Sequence, residues 1–315
     1  LFNWLQLNNT AMADQLRRKM LSPVFISKLR NSSGNFALIV KVSDEYIGMI
    51  CSLGEEFRRR FFNKASHNFK KLLTNPTNKS ERIYLIDYNE KSAVKRNFLD
   101  DNFIGKNITL IGNGTLGSFI ADYLVKAGAG LDGRLTLYDP QKFKPQNISR
   151  HYLGIKSVLG NKAEELALAL KEKSPRNNII GIAECAPDIK NLVNEDLLID
   201  STGDFMYSLQ LNSNYVSMEE SKRPKLIHAW ISAGGEGGRV LKMGNTGCYR
   251  CTKTVGFIET FQEFKDNRKV VAIKKNCGES YMPFGISSSV RTAGLCMEVA
   301  LKEVHNPKSE SHMFF

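Results

Sequence analysis

A glycine loop at Gly112, Gly114 and Gly117, a carboxylate at Asp139 and two cations at Arg150 and Lys162 follow one another in an order that suits phosphoryl chemistry. Glycines let backbone approach phosphate closely, and a helix that starts there offers free N–H groups and the positive end of its dipole. A carboxylate about 20 residues further on can hold ribose hydroxyls. The cations beyond it decide which nucleotide. Backbone N–H groups satisfy the bridged pyrophosphate of a dinucleotide largely unaided, whereas a nucleoside triphosphate needs cations against its β- and γ-phosphates. Arg150 and Lys162 are placed to supply them. The alternative is that both are solvated surface cations, the usual fate of Arg and Lys.

The pattern around these residues supplies the elements that must position them. Ile108-Thr109-Leu110-Ile111 reads as a buried strand, Phe119, Ile120, Leu124 and Val125 as a helical face, and Leu135-Thr136-Leu137-Tyr138 as a second strand ending at Asp139. Lys162 opens another helical run through Ala163, Leu166, Leu168 and Leu170, and Leu197-Leu198-Ile199-Asp200 reads as a further strand. The predicted fold class is α/β, a doubly wound, mostly parallel sheet of Rossmann-like type, with a smaller α+β domain before it. Domain boundaries are expected at residues 1–99 and 100–315.

Several ordered segments resemble one family, the E1-like adenylating enzymes of the ThiF, MoeB and ubiquitin-activating group. They are the glycine loop Gly112-Asn113-Gly114-Thr115-Leu116-Gly117, the D-x(7)-N-x-x-R spacing from Asp139 through Asn147 to Arg150, and Lys162 at the position of the family's phosphate-binding lysine. His228-Ala229-Trp230 through Gly235-Glu236-Gly237-Gly238, Cys248-Tyr249-Arg250-Cys251, Cys277-Gly278-Glu279 and the stretch from Gly285 to Glu298 complete the likeness. The resemblance covers residues 100–305 and implies an enzyme that uses ATP and Mg²⁺ to adenylate the C-terminal glycine carboxylate of a ubiquitin-like protein. A thiol then attacks the acyl-adenylate to form a thioester. It implies that Gly112, Gly114 and Gly117 take the phosphates, that Asp139 takes the ribose, and that Asn147, Arg150 and Lys162 bind and polarise the phosphoryl groups. A dimer is implied as well, with an arginine from ahead of the first strand reaching the partner's site. Arg82 and Arg96 are the candidates.

One segment departs from the family pattern. Where the family carries an aspartate that helps position magnesium and the adenylate, this chain reads Asp200-Ser201-Thr202-Gly203-Asp204, with a glycine in the aspartate's place. Asp204, one residue late, is the expected magnesium ligand. Asp200 is an alternative, and a degenerate, inactive scaffold is another.

The six cysteines divide by context. Cys248 and Cys251 have metal-ligand spacing, and structural Zn²⁺ takes four such ligands. Cys277, Cys296, His305 and His312 are conceivable partners, none at the expected spacing, so zinc and two metal-free thiols both stand. Cys277 is the candidate nucleophile, with Lys274 and Lys275 just before it to favour a thiolate. A packed cysteine beside Gly278 is the other reading. Cys51, Cys185 and Cys296 lie in apolar patterns and are expected in the core. Residues 252–276 look like a crossover loop over the active site that holds a substrate tail, or one whose Phe257, Phe261 and Phe264 pack as a helical face.

In the first hundred residues, Phe36–Val42 and Ile47–Ser52 are expected as strands, Glu55–Leu73 as a basic helix, and Ile83–Ile86 as one more strand. Arg58-Arg59-Arg60 reads as a solvated helix face rather than a nucleic-acid contact. The chain opens on Leu1 rather than Met, and a preceding module is expected. By resemblance to bacterial E2–E1 fusion proteins of antiphage islands, including CBASS systems, that module is E2-like and the activated tail is a ubiquitin-like protein or a cyclase C-terminus. The net charge of +12 over 315 residues implies acidic partners. No run reaches the roughly 18 apolar residues of a membrane span, and the sparse thiols suit a reducing cytoplasm. A nicotinamide-dependent oxidoreductase is the remaining alternative. It accounts for the glycine loop and Asp139 but leaves Arg150, Lys162, Cys248, Cys251 and Cys277 without a role.

Overall fold

A computed structural model of the chain describes residues 15, 18–19, 22–31, 35–42, 45–62, 77–83, 85, 89–232, 235, 237–253, 273–274, 280–281, 285–308 and 310–314. The chain forms two compact units, Leu1–Asp87 and Tyr88–Phe315.

The first unit contains helix α1 (Pro23–Asn31), strands β1 (Asn35–Val42) and β2 (Glu45–Ser52), helix α2 (Glu55–Phe62) and strand β3 (Lys79–Ile83). Its antiparallel sheet runs β1-β2-β3. β3 starts earlier than the strand expected at Ile83–Ile86 and includes Ile83, while Tyr84 and Ile86 lie outside the described residues. Ile83 pairs with Gly48 and Lys79 with Ser52, so an edge strand forms from a polar segment. Edge strands tolerate such sequences because one side stays wet. The expected basic helix is helical over Glu55–Phe62, where Arg59 lies 3.7 Å from Glu55 one turn back. Its continuation to Leu73 lies outside the described residues.

The second unit begins with α3 (Glu90–Phe98), earlier than the expected boundary at residue 100. Val94 explains why α3 goes with this unit: it is buried, and it borders the tight turn at Gly128. Then come β4 (Asn107–Ile111), α4 (Thr115–Lys126), β5 (Arg134–Tyr138), α5 (Lys162–Lys173), β6 (Ile179–Ile182), β7 (Leu197–Asp200), α6 (Phe205–Ser217), β8 (Leu226–Ile231) and β9 (Gly238–Lys242). A two-residue pair, β10 (Ile273–Lys274) and β11 (Ser280–Tyr281), precedes the long α7 (Ile286–His305) and β12 (His312–Phe314).

The main sheet has seven strands in the order β12-β9-β8-β7-β4-β5-β6. The run β8-β7-β4-β5-β6 is parallel, β9 pairs antiparallel with β8, and β12 pairs antiparallel with β9. Successive side chains of a strand point to opposite faces, and the core follows that rule. Leu197 and Ile199 enter one cluster with α4, α5 and α7, while Leu198 enters a second with Leu211 and Tyr215 of α6. The sheet is therefore covered on both faces, which is what its near-continuous apolar strands require. The chain leaves β4 towards β5 on one side and returns to β7 on the other. Ligands of open α/β sheets bind at such a reversal, outside the carboxyl ends of the strands.

Candidate active site

At that reversal the chain turns from β4 into α4 through Gly112, Asn113 and Gly114. Gly112 has φ +84, and a Cβ on it would lie 2.6 Å from the Cα of Thr202. The turn after β4 and the turn after β7 are thus pressed together. Gly117 is tighter still, because a Cβ there would sit 1.9 Å from the Gly112 carbonyl oxygen. Gly114 differs: a Cβ on it would meet nothing within 4 Å, and it N-caps α4 without a side-chain bond. Gly112 and Gly117 close the turn, and Gly114 leaves it open to an anion at the helix start.

Asp139 follows β5 and is buried. Its Oδ2 accepts the Asn113 N–H at 2.8 Å and its Oδ1 the Gln141 N–H at 2.8 Å. The carboxylate is thereby fixed beside the glycine turn with lone pairs left over. Asn161 caps α5, accepting from the N–H groups of Ala163 and Glu164, and its amide donates to the Asp139 carbonyl at 2.8 Å. That cap delivers Lys162, the first residue of α5, to the same place. The Lys162 ammonium donates to Gln141 Oε1 at 2.7 Å. Burial lowers its pKa, Asp139 opposes that, and the charges of Lys144 and Arg150 lower it further. Lys162 thus sits in the field of Asp139, Lys144 and Arg150. Asn147 stands in the short turn Pro145–Asn147, accepts the Lys144 N–H at 3.0 Å, and through its carbonyl holds the Arg150 N–H at 3.1 Å.

His151, the neighbour of Arg150, has no role expected from sequence, yet it joins the two halves of the site. Its Nε2 lies 2.8 Å from the Asn113 carbonyl oxygen, and its Nδ1 accepts the Leu153 N–H at 3.0 Å. With Nδ1 an acceptor, the proton belongs on Nε2, which donates to Asn113. Burial is the first cause that brings the ring down to about 4, against the pull of the Asn113 hydrogen bond. Gln141, Lys144 and His151 could not be singled out from sequence, since nothing local separates them from ordinary surface residues. Asn113 has a further feature: it is fully buried, and neither side-chain atom has a hydrogen-bond partner among the described residues.

The turn after β7 carries the acids. Asp200 is almost wholly buried and accepts four hydrogen bonds, from the Thr202 N–H at 3.0 Å, Thr202 Oγ1 at 2.7 Å, Ser208 Oγ at 2.5 Å and His228 Nδ1 at 2.8 Å. Burial alone would raise its pKa, but the bonds from His228, Ser208 and Thr202 outweigh it and the carboxyl is held low. Asp200 is therefore occupied as the hub of the turn. Ser201 donates to the Gly112 carbonyl at 2.7 Å, and Gly203 takes φ +64. Asp204 is exposed and N-caps α6 by accepting the Tyr207 N–H at 3.0 Å. Of the two acids, it is the one with a solvent-facing carboxylate beside the glycine turn.

The ThiF family profile matches residues 103–300. The chain belongs to the ThiF family. Within it, curated relatives named "ATP-dependent ubiquitin transferase-like protein Cap2" are similar: 33% identical over 71% of this chain and 41% of the Pseudomonas aeruginosa protein. The Vibrio cholerae protein is 30% identical over 76% of this chain and 41% of its own length. The chain thus spans about two fifths of those relatives. Among solved structures, Escherichia coli MccB is similar with a TM-score of 0.48 and 16% identity, over 71% of this chain and 64% of that one. For a ThiF-family chain the doubly wound, mostly parallel α/β sheet is the expected architecture, and it is the one observed.

The remaining expected residues are less concentrated. Cys248 and Cys251 flank Tyr249 in a short helical turn, with their sulfurs 3.5 Å apart. Two corners of a tetrahedral zinc site, with Zn–S of about 2.3 Å, put sulfurs about 3.8 Å apart, so the pair fits half of such a site. Among the described residues no group of three or more His, Cys, Asp or Glu is placed to hold a metal ion. Cys296 packs in the core cluster on the other face of the sheet from Cys248, His305 bonds the Asn102 carbonyl, and His312 lies against Glu310. Cys277 and most of the expected crossover loop at 252–276 lie outside the described residues. Cys51 and Cys296 are buried as expected, but Cys185 is exposed. It sits past the end of β6, where the chain has left the sheet and an apolar neighbourhood in sequence no longer means burial. Arg82 lies on β3 of the first unit, and Arg96 is exposed in the last turn of α3. No helix among the described residues is long and apolar enough to cross a membrane.

Proposed function

We propose that this chain is the E1-like adenylating part of a larger protein, using ATP to activate the C-terminal glycine carboxylate of a protein tail. In this reading a tail oxygen attacks the α-phosphorus, the bond to the β-phosphate breaks, and pyrophosphate leaves. The observation that carries it is Lys162 linked through Gln141 to Asp139, with the segment bearing Arg150 tied to the glycine turn by His151. The charges of Lys162 and Arg150 suit a polyphosphate and its departing pyrophosphate, where a dinucleotide would need no such cations. Gly112, Gly114 and Gly117 shape the phosphate turn, Asp139 takes the ribose, and Asn147 holds Arg150 in register. Magnesium, when bound, neutralises phosphate charge, and Asp204 is the residue that would hold it. Cys248 and Cys251, with sulfurs 3.5 Å apart, would supply two of the four ligands of a zinc ion.

The next step in this reading is attack of the Cys277 thiolate on the acyl-adenylate, forming a thioester and releasing AMP, followed by transfer to an E2-like module. A ubiquitin-like protein or a cyclase C-terminus is the proposed tail, a homodimer the proposed assembly, the cytoplasm the proposed location and antiphage defence the proposed setting. The name of the similar Pseudomonas aeruginosa and Vibrio cholerae proteins, which couples ATP to ubiquitin-like transfer, supports this direction. ATP–pyrophosphate exchange with glycine-terminated candidate tails tests it. Exchange that persists in Cys277→Ala and is lost in Arg150→Ala supports adenylation, with the thiol acting after it. ATP binding without exchange for any tail supports an inactive scaffold instead, a reading favoured only by Gly203 in the aspartate's place.

A further inference from the structure

Asn113 and Gly114 form the one Asn-Gly step of the chain, and it falls in the glycine turn itself. Covalent connectivity sets the Gly114 nitrogen close to the Asn113 side-chain carbonyl carbon, and a residue without a Cβ leaves that approach unhindered. Here a Cβ on Gly114 would meet nothing within 4 Å. The Asn113 side chain is fully buried, yet neither of its polar atoms has a hydrogen-bond partner among the described residues. No described residue accepts the Gly114 N–H either. Asparagine in a turn ordinarily bonds nearby backbone, so here the two groups that would react lack the bonds that would hold them back.

His151 supplies a further observation. Its Nε2 donates to the Asn113 carbonyl oxygen at 2.8 Å, and that carbonyl belongs to the peptide whose nitrogen is Gly114. When this nitrogen loses its proton, charge spreads onto the carbonyl oxygen through the resonance that keeps the peptide planar. A donor already aimed at the oxygen stabilises that charge as it forms. Gly114 is half-buried, so solvent base reaches its N–H, whereas the Asn113 side chain lies dry.

We propose that Asn113 and Gly114 are a self-modification site, at which the glycine turn closes to a succinimide with His151 as the assisting donor. Solvent base takes the Gly114 proton, the nitrogen bonds Asn113 Cγ, and the Cγ–Nδ2 bond breaks to release ammonia. Water then opens the ring, at Cγ to give aspartate or at the main-chain carbonyl to give isoaspartate. No electrons pass to or from an outside reagent. Because the side chain is dry, opening is slow in the folded chain and the ring accumulates. Closure removes an N–H from the start of α4, and either opening adds a carboxylate there, so every product disfavours an anion. That consequence for ATP rests on the adenylation reading, but the ring closure does not.

The test incubates the folded chain at mildly alkaline pH and follows the peptide bearing residue 113 by mass spectrometry. Loss of ammonia at Asn113 is expected at a rate within about tenfold of that for the same chain in urea, with the ring as main product. Gly114→Ala is expected to slow closure at least tenfold. His151→Phe is expected to slow it about tenfold in the folded chain and to leave the rate in urea unchanged. A folded rate more than tenfold below that in urea, or one that either variant leaves unchanged or raises, overturns the site.

Saturating ATP with Mg²⁺ separates the two readings. If both hold, ATP slows closure at least tenfold, and the ring-closed protein loses pyrophosphate exchange. Closure that ATP leaves unchanged, in a chain without exchange, keeps the modification site and removes adenylation. Exchange in a chain that never closes keeps adenylation and removes the site.

Discussion

The Nε2 of His151 lies 2.8 Å from the carbonyl oxygen of Asn113, which ties the segment carrying Arg150 to the glycine turn. Two loops that are far apart in sequence are held as one body by a neutral imidazole. His151→Phe keeps the ring volume and its packing against Phe143, 4.9 Å away, but strips both hydrogen bonds. A buried carbonyl and a buried N–H are then left without partners, at about 1–3 kcal/mol each. The expected loss is about 2–4 kcal/mol in urea unfolding, with ATP affinity down about tenfold because the segment carrying Arg150 is no longer tied to the glycine turn. Unchanged affinity would mean that Arg150 is positioned by other contacts.

The same ring gives the protein a pH dependence. Its folded value of about 4 lies below the ordinary 6.5, so between those values the unfolded chain binds a proton that the folded one does not. Stability therefore rises with pH through that window, and is lost as pH falls from about 6.5 towards 4. The gap, at about 1.4 kcal/mol per pH unit, is about 3 kcal/mol. Unfolding free energies measured at pH 4.5 and 7 should differ by about that much more in the parent than in His151→Phe. Parallel pH curves for the two proteins would refute this role.

Gly117 and Gly114 should respond to alanine in opposite ways. A methyl group on Gly117 collides with the Gly112 carbonyl at 1.9 Å and with Ser201 Oγ at 2.6 Å. Overpacking of this kind costs about 1–3 kcal/mol or more, well above the roughly 1 kcal/mol of helix propensity that alanine adds. Gly114→Ala meets nothing within 4 Å and keeps a negative φ, so its melting temperature should stay near the parent's while ATP affinity falls. Equal melting temperatures for the two variants would place the tight contact elsewhere.

What could be read from sequence depends on how locally each feature is determined. β4, β7 and α5 stand out because buried parallel strands need unbroken apolar runs and because Ala163, Leu166 and Leu170 recur at helical spacing after Lys162. β3 did not, because an edge strand of Lys, Ser, Glu and Arg carries no apolar signal and forms only against β2. Asp139 bonds the glycine turn at Asn113 and, through Gln141, is linked to Lys162. The choice between Asp200 and Asp204 was not legible. It depends on Ser208 one helical turn into α6 and on His228 in the next strand, 28 residues beyond Asp200. Cys185 misled for the converse reason: Ile182, Ala183 and Ala186 give it an apolar pattern, but the sheet has already ended.

Asp200 and Asp204 can be separated by experiment, because one should fail by unfolding and the other by chemistry. Asp200 gathers Thr202, Ser208 and His228 in a nearly dry setting. Asp200→Ala leaves those donors unsatisfied and is expected to cost about 3–5 kcal/mol, as removal of one partner from a buried charged network does. Asp204 contributes a helix cap, which asparagine provides equally well. Asp204→Asn should therefore melt within about 1 kcal/mol of the parent, yet lose its negative charge beside the glycine turn. If Asp204 holds the metal, pyrophosphate exchange falls at least 100-fold and is partly restored by raising Mg²⁺. A fully active Asp204→Asn with parental Mg²⁺ dependence would show that the acid only caps α6, and the metal would then have to be held by residues other than the two acids of this turn.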